Sequence, residues 1–268
     1  MQSPLTSSGL RYLEPSPLGA LALARHQVES PRATLVAIHG GLDRASSFTR
    51  LSRRLEDFDV VAYDRRGYQR SRALGPGSLD QHVEDLERVI AWVAPSGPVV
   101  LFGHSFGGLV ALTLTGRRPS AVRVVVAFES PLPWIWGRPS PTPVPGESAP
   151  LEAERFFRRV VSDAAWEHLS DAEQESRRLD GPALSADLHE MTQPLAPFDL
   201  DKITSSVRYL YGDPRSTPYY YALARRLESM NANFSSRELV GAPHGAHLSH
   251  PDILASEIRR AVDLLGAQ

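Results

Sequence analysis

Short runs of hydrophobic residues alternate along this chain with stretches in which hydrophobic and polar residues are mixed. The runs are nearly continuous in apolar residues and rich in valine, which is typical of strands covered on both faces of a sheet. Such strands are predicted at 34–38, 60–63, 99–102 and 122–128, and a similar strand at 207–211.

The mixed stretches have the period of amphipathic helices. Residues 79–93 place Val83, Leu86 and Val89 on one face, and Pro95 and Gly97 follow the end of the pattern. The alternation of strands and helices predicts an α/β fold with a mostly parallel central sheet flanked by helices. Further helices are predicted at 46–56, after Gly108, at 218–227 and at 251–265, with a strand pair within 10–27 and a short strand at 239–240.

The alternation stops between residues 131 and 201. The first part of this stretch is rich in proline, and 151–179 has a helical pattern rich in arginine and glutamate. Because the interruption is too long for a simple loop, it predicts a helical insertion. The predicted organisation is therefore a core of residues 1–130 and 202–268 with a helical cap, or lid, at 131–201.

Residues 103–107, at the end of the strand 99–102, read Gly-His-Ser-Phe-Gly. The pattern G-x-S-x-G between a strand and a helix is the nucleophile elbow, in which a tight turn exposes the serine. Gly103 and Gly107 provide the space that this turn requires. Ser105 is therefore the candidate nucleophile.

A serine nucleophile needs a base, because its hydroxyl is protonated near neutral pH. His244 lies in a glycine-flanked loop before the last predicted helix, and His247 and His250 are competitors in the same loop. The oxyanion formed on a carbonyl is stabilised by backbone N–H groups. The expected donors are the N–H groups of Phe106 and Gly41.

Composition limits the classes of function. The 268 residues carry a net charge of -2, which gives no general attraction to nucleic acid or anionic lipid. No apolar run has the length of a membrane span. The absence of cysteine excludes disulfides and thiolate chemistry and suits a reducing cytoplasm. We expect a cytoplasmic protein that acts on a small molecule without a metal or organic cofactor, whereas the sequence leaves the oligomeric state open.

Four segments together resemble the α/β-hydrolase family over nearly the whole chain. They are His-Gly-Gly at 39–41, Asp-Arg-Arg-Gly-Tyr at 64–68, the elbow at 103–107 and Gly-Ala-Pro-His at 241–244. The resemblance implies that His244, rather than His247, is the catalytic base. It also implies a variable cap after the sixth strand, which matches 131–201.

The resemblance implies an acid as the third catalytic residue, at one of two positions. The commoner position, three residues after Gly212, holds Arg215, which cannot orient an imidazole, and Asp213 follows the glycine directly. The other position is the end of the sixth strand, where this chain has Glu129. Because a charge at the end of a buried strand needs a partner, Glu129 is predicted over Asp213.

These residues predict a serine hydrolase that cleaves an ester or thioester of a small or medium, largely apolar acyl group through an acyl-enzyme. A C–C bond hydrolase, a lactonase, a perhydrolase and a weakly catalytic small-ligand receptor of the same fold are the alternatives. Aromatic residues of the insertion suggest an apolar cap over the serine, although most are expected to pack within the cap itself. They are Trp134, Trp136, Phe156, Phe157 and Trp166, with Ile135 beside them.

Overall fold

A computed structural model describes residues 9–137, 146–213 and 218–266 of the chain. Within these residues, eight strands form one sheet in the order β1-β2-β4-β3-β5-β6-β7-β8. The strands are β1 (Arg11–Tyr12), β2 (Leu23–His26), β3 (Ala33–Ile38), β4 (Phe58–Tyr63), β5 (Val99–His104), β6 (Val124–Phe128), β7 (Ser206–Tyr211) and β8 (Phe234–Glu238).

The sheet is mostly parallel, as predicted. Strands β3 to β8 pair with one another in parallel, and the antiparallel pairs β1–β2 and β2–β4 lie at one edge. Every residue of β3, β4 and β6 is buried, which explains why their sequences are apolar apart from Thr34 and from Asp59, which pairs with Arg25. The carboxyl ends of the parallel strands meet at one edge of the sheet, where ligands of such folds bind.

Helices cover both faces of the sheet. The helix predicted at 79–93 is confirmed as α2, and Ser78 and Gln81 form a capping box at its start. The described α-helices are α1 (Thr49–Ser52), α2 (Leu79–Val93), α3 (Phe106–Arg117), α4 (Ala149–Val160), α5 (Asp163–Glu167), α6 (Asp171–Leu179), α7 (Gly181–Glu190), α8 (Pro218–Met230), α9 (Ala246–Ser249) and α10 (Pro251–Gly266).

Two apolar layers hold the sheet between its helices. One layer packs α2, α3 and α8 against side chains such as Val36, Leu101 and Val125. The other packs α10 against residues such as Leu35 and Phe102 on the opposite face. Successive residues of one strand thus enter different layers, which fixes the register of the sheet.

The helix predicted at 46–56 is wrong in its extent. A 3₁₀ turn at Ala45–Phe48 and the single turn of α1 occupy its first half. Three hydroxyls in this stretch donate to the carbonyl three residues earlier, and such local bonds compete with a regular α-helix. The hydroxyls belong to Ser47, Thr49 and Ser52.

The strand predicted at 239–240 lies earlier in the structure, at β8. Its sequence Phe-Ser-Ser-Arg-Glu is polar because β8 is an edge strand with one neighbour, β7. Leu239 still donates its N–H to the Tyr211 carbonyl, but the ladder ends there. The apolar pair 239–240 therefore marks the residues that follow the strand.

Helices α4 to α7 lie between β6 and β7, as the predicted helical insertion requires, and we call them the inserted helices. Helix α7 was not predicted individually. The inserted helices have an apolar cluster of their own, which includes Phe157, Trp166 and Leu188 and reaches Leu42 and Tyr68 on the loops after β3 and β4. The inserted helices therefore rest on the carboxyl edge of the sheet, and the division into core and cap at residues 131 and 201 stays a prediction.

None of the described helices combines the length and apolar character that crossing a bilayer requires.

Candidate active site

Ser105 lies in the turn between β5 and α3 with φ 52° and ψ -124°, a backbone conformation that L-residues rarely adopt. The turn is closely packed, since a Cβ on Gly103 would overlap the Gly108 backbone, and one on Gly107 would overlap the Ile38 carbonyl. Strain of this kind persists only where the surroundings enforce it. The structure thus gives the sequence pattern the geometry of a nucleophile elbow.

Glu129 lies directly beyond β6 and is fully buried. Its Oε2 is 2.5 Å from Nδ1 of His244, and its Oε1 accepts the N–H of Gly212 at 2.9 Å. A carboxylate can only accept, so His244 donates its Nδ1–H in this bond. The tautomer that results leaves Nε2 of His244 without a proton, as a general base requires.

Three rings surround the imidazole of His244. Tyr220 on α8 stacks on it with the ring planes 12° apart and the centroids at 6.0 Å. His104 lies at 4.6 Å and Phe128 at 6.5 Å. The side chain of His244 remains 20% exposed, whereas Glu129 is 0% exposed. A substrate can therefore reach the histidine but not the carboxylate behind it.

The alternative acid, Asp213, follows Gly212 at the end of β7 and is half-buried. Arg215 lies outside the described residues. Of the two carboxylates considered from the sequence, Glu129 accepts the hydrogen bond from His244 described above. Its assignment as the catalytic acid stays a prediction about function.

The loop after β3 passes directly over the elbow. A Cβ on Gly40 would lie 2.9 Å from Cβ of Ser105. A Cβ on Gly41 would lie 2.9 Å from Leu184 of α7 and 3.8 Å from Phe156 of α4. A side chain at position 40 would thus press on Ser105, and one at position 41 would displace the end of the Leu184 side chain.

Phe106 begins α3, so its backbone N–H belongs to the first turn, in which the N–H groups have no partner within the helix. Its ring is buried and contacts the guanidinium of Arg65 at 4.8 Å and the ring of His82 at 5.7 Å. The side chain therefore anchors the helix start. The backbone N–H groups of Phe106 and Gly41 remain the predicted oxyanion donors.

His39 also follows a strand, but it is buried and its ring binds the backbone of a neighbouring loop. It is fully buried, and its Nε2 accepts the N–H of Arg65 at 2.9 Å. Burial and the charge of Arg65 lower the pKa of His39 to about 3. His39 is therefore neutral near pH 7 and fixed in the loop that carries Gly40 and Gly41.

Asp43, His104 and His247 form a second polar cluster beside the elbow. Their ligand atoms lie within 4.8 Å of one another, so these residues could hold a metal ion. However, Asp43 Oδ2 is 3.1 Å from His247 Nε2 and 4.0 Å from His104 Nδ1. Tetrahedral zinc ligands lie about 3.4 Å apart. The rings of His104 and His247 also lie tilted against each other at 4.5 Å, and we interpret the cluster as a carboxylate–imidazole contact beside a packed imidazole.

The environment of this cluster shifts the pKa of Asp43 and that of His104. Burial raises the pKa of Asp43, but the adjacent His247 outweighs it and holds that pKa below its usual range. Burial, together with His247 and His244, holds the pKa of His104 well below its usual value. The ring of His104, next to His244, is therefore neutral near pH 7.

Buried neutral histidines make the fold sensitive to acid. Burial and Arg65 also lower the pKa of His82. At pH values between 6.5, the ordinary histidine pKa, and about 3, the pKa of His39 in the folded protein, the unfolded chain binds a proton at His39 that the folded chain does not. The free energy of unfolding thus falls as the pH falls, by up to about 1.4 kcal/mol per pH unit for each such histidine. We expect Tm, measured by circular dichroism, to decrease from pH 7 to pH 4.

The variant His39→Asn isolates one of these contributions, and we expect its Tm to depend less steeply on pH in this range. The exposed His168 provides the control, because His168→Gln should keep the wild-type slope. Burial raises the pKa of Asp64 and Asp180, which act in the opposite sense but are common to all variants. An unchanged slope in His39→Asn would contradict the expectation.

Sequence reasoning did not identify several residues around this site. Leu184 lies on the helix α7, which had no prediction of its own, and Tyr220 gave no signal beyond a position on a predicted helix. Asp43 follows the His-Gly-Gly segment closely, so its place at the strand end was the one available signal. The contact between Asp187 and Arg65 spans 122 positions and leaves no local pattern.

Comparisons with known proteins bear on the family and on the fold. The model of the Alpha/beta hydrolase family matches residues 35–257. Lipase LipV of Mycobacterium tuberculosis is 34% identical over 97 residues, which are 36% of this chain and 37% of that protein. The human Serine hydrolase-like protein is 36% identical over 102 residues, 37% of this chain and 50% of that protein. The chain thus spans between about a third and a half of these curated relatives.

Solved structures are similar over nearly the whole chain. A lipase-esterase related protein from Clostridium acetobutylicum superposes with a TM-score of 0.66 at 16% identity, covering 91% of this chain and 100% of that one. Epoxide hydrolase VrEH1 from Vigna radiata gives a TM-score of 0.66 at 15% identity, covering 95% and 97%. At these identities the similarity concerns the fold alone.

Proposed function

Because this chain belongs to the alpha/beta hydrolase family, we propose that it is a serine hydrolase that cleaves an ester or thioester of a small or medium, largely apolar acyl group. The observation that carries the proposal is the bond between Glu129 and His244, whose ring lies 4.6 Å from that of His104, the residue before Ser105 in the elbow. Together these three side chains supply a nucleophile, a base and an acid.

In the proposed reaction, Ser105 Oγ attacks the carbonyl carbon while Nε2 of His244 takes the hydroxyl proton. The carbonyl oxygen becomes an oxyanion, which the N–H groups of Gly41 and Phe106 stabilise. Loss of one such donor typically raises the barrier by about 3–4 kcal/mol. His244 then gives its proton to the departing alcohol or thiol as the C–O or C–S bond breaks. The acyl group remains on Ser105.

Water completes the cycle. His244 removes a proton from water, the hydroxide adds to the acyl carbon, and the bond to Ser105 breaks as His244 returns the proton to its oxygen. Glu129 stabilises the imidazolium in both halves and keeps the proton on Nδ1. The Gly212 N–H on Oε1 fixes this carboxylate with Oε2 toward the imidazole.

We propose that the inserted helices act as the cap. They would then limit the acyl group in size and favour an apolar one. Leu184 and Phe156 cover Gly41 and so border the space beside the oxyanion. The other aromatic residues have different places. Phe157 and Trp166 pack on each other at 5.4 Å, Trp134 donates its Nε1–H to the Gln193 carbonyl, and Trp136 is exposed. These four thus support the insertion rather than border Gly41.

A panel of p-nitrophenyl esters and acyl thioesters of graded chain length tests the proposed function. We expect steady-state turnover to be fastest for short or medium chains, because Leu184 closes the space beside Gly41. Leu184→Ala should shift the preferred chain toward greater length, whereas Leu188→Ala, one turn further on α7 within the apolar cluster, should not. Initial rates by absorbance provide the measurement.

Two outcomes would contradict this proposal. Saturable binding of the esters without turnover would indicate a small-ligand receptor. Turnover confined to C–C bonds, lactones or peroxy products would indicate one of the other chemistries that the same three side chains can perform. An unchanged chain-length profile in Leu184→Ala would remove the role assigned to Leu184.

A further inference from the structure

We propose that Asp187 on α7 is a positioning residue for the Gly40–Gly41 peptide, and that it acts through the guanidinium of Arg65. The inference rests on the proposed function, because it assigns a cause to the orientation of the Gly41 N–H that would stabilise the oxyanion. Asp187 itself touches no reacting atom in this scheme. It would couple the inserted helices to the chemistry on the sheet.

Arg65 holds the carbonyl side of the loop after β3. Its Nε donates to the His39 carbonyl at 2.9 Å, and its Nη2 donates to the Gly40 carbonyl at 3.1 Å. The Gly40 carbonyl belongs to the same peptide unit as the Gly41 N–H. Arg65 therefore binds the peptide whose other end is the predicted oxyanion donor.

His39 supplies a second donor to the same carbonyl. Its Nε2 accepts the Arg65 N–H, so in the neutral ring the proton is on Nδ1. That Nδ1 lies 2.7 Å from the Gly40 carbonyl oxygen. Two hydrogen bonds, one of them from a cation, thus occupy both acceptor sites of the Gly40 oxygen.

These bonds affect the Gly41 N–H in two ways. In a trans peptide the N–H points away from the C=O, so a carbonyl held toward Arg65 fixes the N–H on the opposite side. Donation to the carbonyl also polarises the peptide unit and strengthens its N–H as a donor. Ser105 lies against the adjacent Gly40, close to where an oxyanion would form.

Asp187 fixes Arg65 from the other side. Its two oxygens accept from Nη1 at 3.1 Å and Nη2 at 2.6 Å, and it also accepts the Tyr68 hydroxyl at 2.6 Å. Arg65 is 0% exposed, and the ring of Tyr68 lies 4.7 Å from its guanidinium. A buried guanidinium without this carboxylate would lose both its counter-charge and its fixed plane.

Helix α7 brings Asp187 to this position through two further contacts with the same loops. A Cβ on Gly67 would lie 2.7 Å from Cβ of Ala183, and Leu184 approaches Gly41 as described above. Three residues of one helix, spaced within two turns, thus meet the loops after β3 and β4. A shift of α7 would move the carboxylate and the oxyanion peptide together.

The test compares the effect of a substitution on substrate binding with its effect on stabilisation of the transition state. In Asp187→Asn we expect kcat for a short p-nitrophenyl ester to fall about 10- to 100-fold, since removal of a whole oxyanion donor costs about 10²- to 10³-fold. KM should change less than about threefold. The inhibition constant of an alkyl trifluoromethyl ketone, whose adduct with serine carries an oxyanion, should rise by the factor by which kcat/KM falls.

Asp85→Asn is the matched control. Asp85 is a buried carboxylate that pairs with Arg66, the neighbour of Arg65, through bonds of 2.7 and 3.0 Å, and it has no contact with the Gly40–Gly41 peptide in these interactions. We expect its kcat and inhibition constant to stay near the wild-type values. An equal loss in Asp85→Asn would overturn the inference, because it would show a general effect of breaking buried ion pairs.

Asp187→Asn leaves the buried Arg65 guanidinium without its counter-charge, so a double variant guards against a loss of folding. The double variant Arg65→Met/Asp187→Leu removes both charges at once, a change that is often neutral for stability. We expect this protein to fold with the same loss in kcat and inhibitor affinity. Wild-type kcat in the double variant, or in Asp187→Asn, would overturn the inference.

Labelling of the wild-type protein distinguishes a failure of the proposed function from a failure of the role assigned to Asp187. If a fluorophosphonate does not modify Ser105, the proposed function fails and the inference fails with it. If Ser105 is labelled and Asp187→Asn keeps wild-type kcat and inhibitor affinity, only the role of Asp187 fails.

Discussion

Replacing Ser105 with alanine is expected to abolish ester turnover, with a loss in kcat on the order of 10⁶-fold by analogy with other serine nucleophiles. The variant should also lose covalent labelling by a fluorophosphonate, which intact-mass spectrometry measures directly. The physical reason is the position of the hydroxyl at the tip of the elbow, with the Gly40 loop above it. Alanine keeps the backbone of the turn and removes only the oxygen.

Ser130→Ala is the appropriate control for this experiment. Ser130 is a buried serine one residue after Glu129, with its Oγ beside Gly108 of the same elbow. We expect the control to retain stoichiometric labelling. Labelling of Ser105→Ala at the wild-type stoichiometry would exclude Ser105 as the nucleophile.

Glu129→Gln is expected to lower kcat by about 10⁴-fold with little change in KM. Glutamine has nearly the same shape, but its amide group can donate to Nδ1 and so favour the tautomer that places a proton on Nε2. The base would then be blocked, and the imidazolium would lose its counter-charge. Steady-state kinetics with a short p-nitrophenyl ester provide the measurement.

Asp213→Asn is the matched variant, because it removes the other carboxylate considered for the same role. We expect its kcat to stay within about threefold of the wild-type value. The reverse ranking, with a large loss in Asp213→Asn and a small one in Glu129→Gln, would assign the acid to Asp213.

The sequence predicted those parts of the molecule that depend on local pattern. Strands buried on both faces have little choice but apolar residues, so β3, β4 and β6 were visible as runs. The elbow was visible because its backbone can only be built with small residues at 103 and 107. Glu129 was predicted because the resemblance to the α/β-hydrolase family offers the end of the sixth strand as a position for the acid, and a charge there needs a partner.

The rest depends on contacts between distant parts of the chain. Strand β8 lies at an edge, where the sheet does not demand apolar residues, and so its polar sequence resembled a loop. The position of α7 is determined by what it covers, namely Gly41, Gly67 and Arg65. No pattern within α7 indicates that Asp187 meets an arginine 122 positions earlier. Such pairs become visible only when the fold is known.

Trp166 gives the inserted helices an optical signal of their own. Three of the four tryptophans lie between β6 and β7, and the fourth, Trp92, lies on α2. Trp166 is 1% exposed, and the guanidiniums of Arg158 and Arg178 lie 5.6 and 5.2 Å from its ring. Indole fluorescence responds to the water and charge around it. The emission of Trp166 therefore reports on the inserted helices, whereas Trp134 and Trp136 report on the segment before them, and a spectrometer can follow both without any added label.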